Sequence, residues 1–245
     1  MLSELTIVVP AYNEANNIKQ VVKTADQYIR DNDIIQLHWL LVDDGSTDNT
    51  WMQMKELAQE MPNVHALQHV TNKGLGVAIW TGMAEVKTKW CAWMPADGQF
   101  KPELYIELAR LANGHELVMV MRHEKERAIL RQILSLGLFA IIRLGLGYDP
   151  HGYSGVFLSQ RKIVQDIPQY GTTGIQNFVP VLYCQRYNLR IEQIFTVIQP
   201  RLSGFSKVTN VSTMLKTLFD VLKLSWRFNR DYKNHRGIHD YQFAE

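Results

Sequence analysis

Residues 37–48 of the chain read LHWLLVDDGSTD, an apolar run that ends in two carboxylates and several turn-forming residues. Such a run is typical of a buried strand, and the glycine and aspartates that follow it are typical of a turn. Ser46, Thr47 or Asp48 is available to cap a helix that we expect to continue to about Glu60. The segment therefore predicts a strand, a polar loop and a helix, in that order.

The same pattern occurs three more times in the first part of the chain. Each time a strand-like run leads into a polar loop: 5–9 into 10–14, the more mixed run 64–70 into 72–76, and 90–94 into 95–99. Helices to about Arg30 and about Val86 are expected after the first two loops. Any one loop alone could be an ordinary turn, but strands alternating with helices predict an α/β fold with a mostly parallel central sheet and helices on both faces. Ligands bind beyond the carboxyl ends of such strands, where the four loops would meet.

Four motifs in these loops resemble those of one enzyme family. They are Val9-Pro10-Ala11-Tyr12-Asn13-Glu14, Val42-Asp43-Asp44-Gly45-Ser46-Thr47-Asp48, Asn72-Lys73-Gly74-Leu75-Gly76 and Ala96-Asp97-Gly98-Gln99. Together, and in the family's order, they look like the inverting family-2 glycosyltransferases of the GT-A fold. Ser154–Phe157, preceded by Asp149, and residues 201–207 resemble the acceptor half of dolichol-phosphate mannosyltransferases and related polyprenyl-phosphate sugar transferases. The resemblance covers residues 4–208.

The resemblance implies that the donor is a nucleoside-diphosphate sugar held by the loops at the strand ends. The residues that match the family's nucleotide-sugar site are Pro10, Tyr12, Asn13, Glu14, Asp43, Asp44, Lys73, Gly74 and Ala96. Among these, Asp43 and Asp44 would accept hydrogen bonds from an N–H on a uracil or guanine edge, because an ionised carboxylate is an acceptor.

A lone carboxylate, Asp97, stands where the family commonly has Asp-x-Asp, because position 95 is Pro95. The resemblance implies that Asp97 binds Mg²⁺ or Mn²⁺, with the amide oxygen of Gln99 assisting. One hard oxygen ligand is then missing, although magnesium often needs only one or two carboxylates beside substrate phosphates. Alternatively, cationic side chains take over part of the charge stabilisation on the leaving diphosphate. The candidate catalytic residues are therefore Asp97, Arg122, Arg131, Arg201 and Lys207.

The predicted acceptor is a polyprenyl phosphate, dolichyl or undecaprenyl, with Ser135 and Ser206 as candidate acceptor-binding residues. A phosphate monoester, whose second pKa is about 6, needs no general base near neutral pH. Family members that act on hydroxyls often carry an acid at the start of a helix after the acceptor loop, and residues 171–178 contain none. We predict an inverting hexosyltransferase of glycan or cell-envelope biosynthesis. Two alternatives stay open: transfer to a hydroxyl of a polysaccharide or glycolipid, and a nucleotide-sugar-binding subunit without turnover.

Composition and charge restrict the other functions. A chain of 245 residues with 46% hydrophobic content can bury a sizeable core, and a formal charge of +2 gives no case for nucleic-acid binding. Cys91 and Cys184 have neither metal-ligand spacing nor a disulfide framework, so we predict core thiols in a reducing compartment. Of the eight histidines, His151 is the one candidate for substrate contact.

Two segments indicate contact with a membrane surface. Residues 128–148 are apolar but interrupted by arginines, which predicts a helix that lies in the interface or packs in the core rather than one that spans a bilayer. From Met214 onward, apolar residues recur at helical spacing beside many cations, which predicts a basic amphipathic helix that meets an anionic surface or packs on the domain.

We divide the chain into a GT-A domain, 1–208, and a C-terminal helix and tail, 209–245. The first residues show no signal-peptide pattern, so we expect peripheral association with the cytosolic membrane face.

Overall fold

The computed structural model describes residues 2–32, 36–122, 140, 142–147, 152–203 and 211–234, with side chains in the last range for 216–230. Several residues singled out in the sequence lie outside the described residues: Arg131, Ser135, Asp149, His151, Ser206 and Lys207. Most of the predicted interface helix over 128–148 also lies outside them. The roles assigned to these residues stay predictions.

Seven strands form one sheet in the described part of the chain. They are β1 (Glu4–Ala11), β2 (Gln36–Asp43), β3 (Val64–Gln68), β4 (Trp90–Trp93), β5 (Leu117–Arg122), β6 (Tyr153–Gln160) and β7 (Ile191–Thr196). Their order across the sheet is β3-β2-β1-β4-β6-β5-β7. Strand β6 runs antiparallel to its neighbours β4 and β5, and the other pairs are parallel. The predicted α/β class with a mostly parallel sheet is confirmed.

Helices cover both faces of the sheet. They are α1 (Ile18–Arg30), α2 (Thr50–Glu60), α3 (Leu75–Ala84), α4 (Pro102–Leu111), α5 (Arg161–Asp166), α6 (Val179–Arg186) and α7 (Val211–Asn234), with a 3₁₀-helix at Gly174–Phe178. The indole N–H of Trp39 in β2 donates to Asp26 of α1, whereas Val42 of the same strand lies against Gly82 of α3. Successive residues of a strand point to opposite faces, and Trp39 and Val42 are three positions apart, so α1 and α3 cover different faces.

The carboxyl ends of the parallel strands are level at one edge of the sheet. Ala11 at the end of β1 pairs with Asp43 at the end of β2, and Asp43 pairs with Gln68 at the end of β3. Because β6 is antiparallel, its first residue, Tyr153, pairs with Met121 near the end of β5 and lies at the same edge. The topology therefore brings polar loops that are distant in sequence to this edge.

The two cysteines lie in the buried core, as predicted. Cys91 is on β4 and Cys184 is on α6, and both are free thiols. Burial raises the pKa of each to about 12. Because the thiolate is the reactive form, such thiols are inert at neutral pH. They contribute to packing rather than to chemistry.

The C-terminal helix α7 has a buried side and an exposed side, and both carry apolar residues. Its buried side chains are Val221, Leu224 and Phe228. Its exposed apolar side chains are Phe219, Leu222 and Trp226, which are 69%, 51% and 64% exposed. The helix thus packs on the described domain and also presents apolar side chains to solvent. None of the described helices is long and apolar enough to cross a bilayer.

Candidate active site

The loop that follows β1 is tied to the loop that follows β2. Asn13 has a positive φ of 53°, a conformation that asparagine tolerates better than most residues. Its backbone N–H donates to Ser46 Oγ at 2.9 Å, and its Oδ1 accepts from the N–H of Thr47 at 2.8 Å. These bonds fix the β1 loop, in which Tyr12 and Glu14 are half-buried and Pro10 is buried.

The start of α2 also bonds to the loop after β1. The N-cap of α2 is Asn49, one residue beyond the three predicted candidates, and its side chain makes no capping hydrogen bond. Asp48 precedes the cap, and its Oδ1 accepts from the N–H of Thr50, the first residue of α2, at 2.9 Å. The hydroxyl of Thr50 accepts from the N–H of Glu14 at 2.8 Å. The predicted nucleotide loop is therefore supported by a helix terminus.

Asp43 is buried at the end of β2 and has a partner on each carboxylate oxygen. Oδ1 accepts from the N–H of Ser46 at 3.1 Å, and Oδ2 accepts from the side-chain amide of Gln68 at 3.1 Å. A carboxylate has about four acceptor positions, so these two bonds leave capacity for a ligand N–H.

Asp44 is also buried, and it holds the loop before α3. Its two oxygens accept from the N–H groups of Lys73 and Gly74, each at 2.9 Å. His69 Nδ1 donates to Asp44 Oδ1 at 2.8 Å, and Thr81 Oγ1 lies 2.9 Å from His69 Nε2. The structure thus brings together three of the predicted donor-site residues, Asp44, Lys73 and Gly74. The Asp44 carboxylate joins the loop after β2 to the loop before α3.

Asp97 lies beyond the end of β4 and pairs with Arg201. The Arg201 guanidinium is 3.2 Å from the Asp97 carboxylate, and the Asp97 side chain is 8% exposed against 25% for Arg201. The N–H of Gln99 donates to Asp97 Oδ1 at 3.1 Å, and the N–H of Leu202 donates to the Asp97 carbonyl oxygen at 3.1 Å. Two predicted catalytic residues, separated by about a hundred positions, are therefore in direct contact beside the buried Ala96.

Gly98 has a positive φ of 73° in this turn, and a Cβ atom there would lie 2.6 Å from the side chain of Leu202. Glycine therefore permits both the backbone turn and the close approach of the Arg201 segment.

Burial and the charge of Asp97 raise the pKa of Tyr105 well above its ordinary value. The Tyr105 hydroxyl stays protonated and donates to the Trp93 carbonyl oxygen at 3.0 Å, at the end of β4.

A divalent cation bound at the turn that follows β4 would find one carboxylate within that turn, Asp97. Across the described ranges, no three His, Cys, Asp and Glu side chains come together in a way that could hold a metal ion. The side-chain amide of Gln99 donates to the Gln199 carbonyl oxygen at 3.2 Å, so its nitrogen is engaged and its oxygen is the atom that could serve as a ligand. The donor set is compatible with a hard cation that takes its other ligands from phosphate and water.

The Arg201 segment also reaches the nucleotide loop. Ser203 Oγ donates to Asn17 Oδ1 at 2.7 Å, and the Asn17 amide donates to Glu14 Oε2 at 2.7 Å. Two groups of predicted residues, around Glu14 and around Arg201, are thereby joined. Arg122 ends β5 at the same edge, with its N–H donating to the Gly152 carbonyl oxygen at 2.7 Å.

Sequence reasoning missed the residues that connect the loops. His69 follows β3 at the edge where the other polar residues lie, and this position was a signal that could have identified it. Asn17 gave no such signal, because it is a common polar residue whose partner is far away in sequence. Ser203 lies within the segment 201–207 that carries the resemblance, but that segment did not indicate Asn17 as its partner. Asp220 of α7, whose carboxylate bonds to Thr172 and Thr173, was also missed.

Comparison with known proteins agrees with this arrangement. The model of the family described as glycosyl transferase family 2 matches residues 6–167. The dolichol-phosphate mannosyltransferase of Pyrococcus furiosus is 26% identical over 91% of this chain and 63% of its own length. The UDP-N-acetylglucosamine–dolichyl-phosphate N-acetylglucosaminyltransferase of Methanococcus voltae is 32% identical over 61% of this chain and 66% of its own length. The chain thus spans about two thirds of these curated relatives.

Solved structures with the same fold include two sugar-phosphoglycerate synthases. Glucosyl-3-phosphoglycerate synthase from Mycobacterium tuberculosis, in complex with Mn²⁺, UDP and phosphoglyceric acid, has a TM-score of 0.67 at 17% identity and covers 91% of this chain and 78% of that one. Mannosyl-3-phosphoglycerate synthase from Rubrobacter xylanophilus has a TM-score of 0.63 at 15% identity, over 98% of this chain and 78% of that one. These likenesses confirm the predicted GT-A type of fold. With its motifs at the sheet edge and the family model matched over most of the chain, the protein belongs to glycosyl transferase family 2.

Proposed function

We propose that the protein transfers a hexose-type sugar, with inversion, from a nucleoside diphosphate to a polyprenyl phosphate. The observation that carries the proposal is the contact between Arg201 and Asp97, at the sheet edge where the nucleotide loops also lie. Two phosphorylated substrates require charge stabilisation at the point of transfer, and this pair places a guanidinium beside a carboxylate that could hold a divalent cation. The names of the relatives, which include dolichol-phosphate and undecaprenyl-phosphate sugar transferases, support this acceptor class.

The donor would lie across the ends of β1, β2 and β3. Asp43, with acceptor capacity left after its two protein contacts, is the better candidate to receive an N–H from the base. Asp44 would act chiefly through the loop that it holds, by fixing Lys73 and Gly74 for the nucleotide. Pro10, Tyr12 and Glu14 would line the nucleoside, and Ala96 would border the sugar.

The leaving diphosphate would be stabilised at Asp97 and Arg201. A divalent cation, Mg²⁺ or Mn²⁺, would be held by Asp97, with the amide oxygen of Gln99 as a further ligand, and it would supply Lewis-acid stabilisation of the phosphate charge. Arginine forks match phosphate oxygens, so the guanidinium of Arg201 suits the same charge. Arg122, and the predicted Arg131 and Lys207, would add to it.

The acceptor phosphate would act as its own nucleophile. One of its oxygens forms a bond to the anomeric carbon, while the bond from that carbon to the donor's phosphate oxygen breaks and its electron pair leaves with the nucleoside diphosphate. No proton has to be removed, because the second pKa of a phosphate monoester is about 6. The stretch 171–178 contains no acid of its own, and the Asp220 carboxylate beside it accepts hydrogen bonds from Thr172 and Thr173, which is consistent with a reaction that uses no general base.

Transfer to a hydroxyl of a polysaccharide or glycolipid is the second candidate. The chain shares its fold with a glucosyl-3-phosphoglycerate synthase that was solved with phosphoglyceric acid, which is not a lipid. This likeness is the reason to retain a non-lipid acceptor as a candidate. A nucleotide-sugar-binding subunit without turnover is the third, and the loss of the second carboxylate at Pro95 is the feature that favours it.

The proposal includes peripheral attachment to the cytosolic membrane face through the C-terminal helix, which we treat as separate from the domain at 1–208. Phe219, Leu222 and Trp226 lie three and four residues apart and so share one face of α7. Exposed cations border this face at Lys216, Lys223 and Arg230, and the Arg230 guanidinium lies 4.8 Å from the Trp226 ring centroid. Apolar side chains bordered by cations suit an anionic lipid surface.

The direct test is transfer of label into lipid. The purified protein is incubated with radiolabelled UDP-sugars or GDP-sugars, polyprenyl phosphate and Mg²⁺ or Mn²⁺, and label is counted in the organic phase. The matched control is the same polyprenol without its phosphate, which offers a hydroxyl instead. We expect label with the phosphate only. Label with the free polyprenol, or binding of nucleotide with no lipid product, would turn the assignment to a hydroxyl acceptor or to a binding subunit.

A further inference from the structure

The carboxylate of Asp220 on α7 holds a loop that is about 50 residues away in sequence. Its Oδ2 accepts from the N–H of Thr172 at 2.8 Å and from the N–H of Thr173 at 2.9 Å. The hydroxyl of Thr173 also donates to it at 2.9 Å. A Cβ atom on Gly171 would lie 2.9 Å from the same oxygen, so glycine at 171 gives the carboxylate the room to approach. The side chain therefore fixes the loop 171–173.

On its other side, the loop 171–173 packs against the glycine loop that precedes α3. The N–H of Gly76 donates to the Thr172 carbonyl oxygen at 3.1 Å. A Cβ atom on Gly74 would lie 2.7 Å from that oxygen, and one on Gly76 would lie 2.2 Å from the Thr173 carbonyl oxygen. The two loops are thus in backbone contact that a larger side chain at either glycine would prevent.

The glycine loop in turn reaches the proposed donor site. The N–H groups of Lys73 and Gly74 donate to Asp44, whose own N–H donates to the Ala11 carbonyl oxygen at 2.8 Å at the end of β1. A continuous series of contacts therefore runs from the C-terminal helix, through 171–173 and the glycine loop, to the ends of β2 and β1. The part of the series that belongs to no predicted motif is Asp220 itself.

We propose that Asp220 is a positioning residue for the nucleotide-sugar site, which it supports through the loop 171–173 and the glycine loop at 74–76. It touches no substrate in this role. The proposal rests on the donor site proposed above, and it assigns the C-terminal helix a part in donor binding as well as in membrane contact.

The competing explanation is that Asp220 merely helps to dock α7, and a second residue of the same helix separates the two. Asn229 accepts from Arg186 Nη2 at 2.6 Å and donates to the Gly145 carbonyl oxygen at 3.1 Å, so it also docks α7 but does not contact the loop. Asn229→Ala is therefore the matched control. Asp220→Asn is the conservative variant, because it keeps an acceptor oxygen and loses the charge.

The experiment measures binding of UDP and of GDP, each with Mn²⁺, to the full chain by isothermal titration calorimetry, beside thermal melting of each variant. For the nucleotide that binds, we expect Asp220→Ala to weaken binding about tenfold, Asp220→Asn to weaken it by about threefold, and Asn229→Ala to leave it within about twofold. Both alanine variants should melt at lower temperature, so melting alone does not separate the two explanations.

The outcomes that contradict the proposal are distinct from one another. If Asp220→Ala binds nucleotide as the natural chain does, or if Asn229→Ala loses as much binding, then Asp220 has no positioning role. If Asp220→Ala does not fold, unchanged binding by Asp220→Asn overturns the proposal in the same way. If the natural chain binds neither nucleotide, the donor site proposed above is wrong, and the positioning role is wrong with it.

Discussion

At the scale of single residues, the pairing of Asp97 with Arg201 controls the charge at the proposed point of transfer. The two side chains are 3.2 Å apart and neither is fully exposed, so each offsets the charge of the other in the absence of ligand. A planar guanidinium can move from a carboxylate to phosphate oxygens, since it bonds both in the same geometry. Arrival of a diphosphate would then free the carboxylate for a cation.

Asp97→Asn should lower kcat by about a hundredfold or more, because it removes the charge of the one carboxylate in the metal set while keeping the side chain's shape. The measurement is the rate of label transfer at saturating donor, with Mn²⁺ varied. Asp31→Asn makes the same chemical change at an exposed position at the end of α1 and should leave the rate unchanged. Full activity of Asp97→Asn would remove Asp97 from the proposed site.

Sequence reasoning identified the residues of this site better than it identified their partners. The motifs predicted that Asp43, Asp44 and Asp97 would lie near one edge, because each follows a strand-like run, and the family resemblance assigned Arg201 to the same site. Sequence reasoning did not predict that Asp44 accepts from the glycine loop and His69. Such partners depend on how two loops pack, and packing is not encoded in the local pattern around either residue.

At the scale of secondary-structure elements, α7 is the element with two roles. Its buried side packs Phe228 against Tyr170, with ring centroids 6.0 Å apart, and its Asp220 bonds to the loop 171–173. Its opposite side exposes Phe219 and Trp226. The apolar spacing predicted an amphipathic helix, which has one apolar side. The observed helix has apolar residues on two sides, and only one of these sides is needed for packing on the domain.

The double variant Phe219→Ser, Trp226→Ser should bind anionic vesicles about tenfold more weakly, because it removes the largest exposed apolar side chains of α7. Co-sedimentation with vesicles of phosphatidylglycerol and phosphatidylcholine measures the binding. Met52→Ser is the control, since Met52 is an apolar side chain that is 53% exposed on a different helix, α2. Equal sedimentation of the double variant and the natural chain would contradict membrane contact through α7.

The elements of the first part of the sheet could be predicted, and the later ones could not. Strands β1, β2 and β4 are largely apolar runs, whereas β3 is mixed, with only Val64 buried. The predicted helices end within a few residues of the observed α1, α2 and α3. The place of β6 between β4 and β5 depends on pairing between residues such as Cys91 and Ser159. Pairing over such a distance is set by the whole sheet, so the local sequence does not reveal it.

At the scale of the whole molecule, Glu116 joins three strands of the sheet. Its carboxylate accepts from the Arg190 backbone N–H and from Arg190 Nη2, each at 2.7 Å, just before β7 begins. Its carbonyl oxygen accepts from the N–H of Gln160, at the end of β6, at 3.1 Å. Glu116 itself precedes β5, so loss of its contacts should lower the free energy of global unfolding rather than loosen one loop.

Burial alone would raise the pKa of Glu116, but the hydrogen bonds and charge of Arg190 outweigh it and lower the pKa below its ordinary value of 4.5. A carboxyl whose pKa is lowered in the folded state stabilises the fold above pH 4.5 and loses this contribution as pH falls through the lower folded value. Glu116→Gln should therefore reduce the free energy of unfolding at pH 7 by about 1 kcal/mol, a small value because solvent screens the largely exposed Arg190. The difference between the variant and the natural chain should shrink below pH 4.5. Urea unfolding from pH 3 to pH 7 measures it, with the exposed Glu107→Gln as control. A difference that is constant across this range would mean that the Glu116 charge does not contribute.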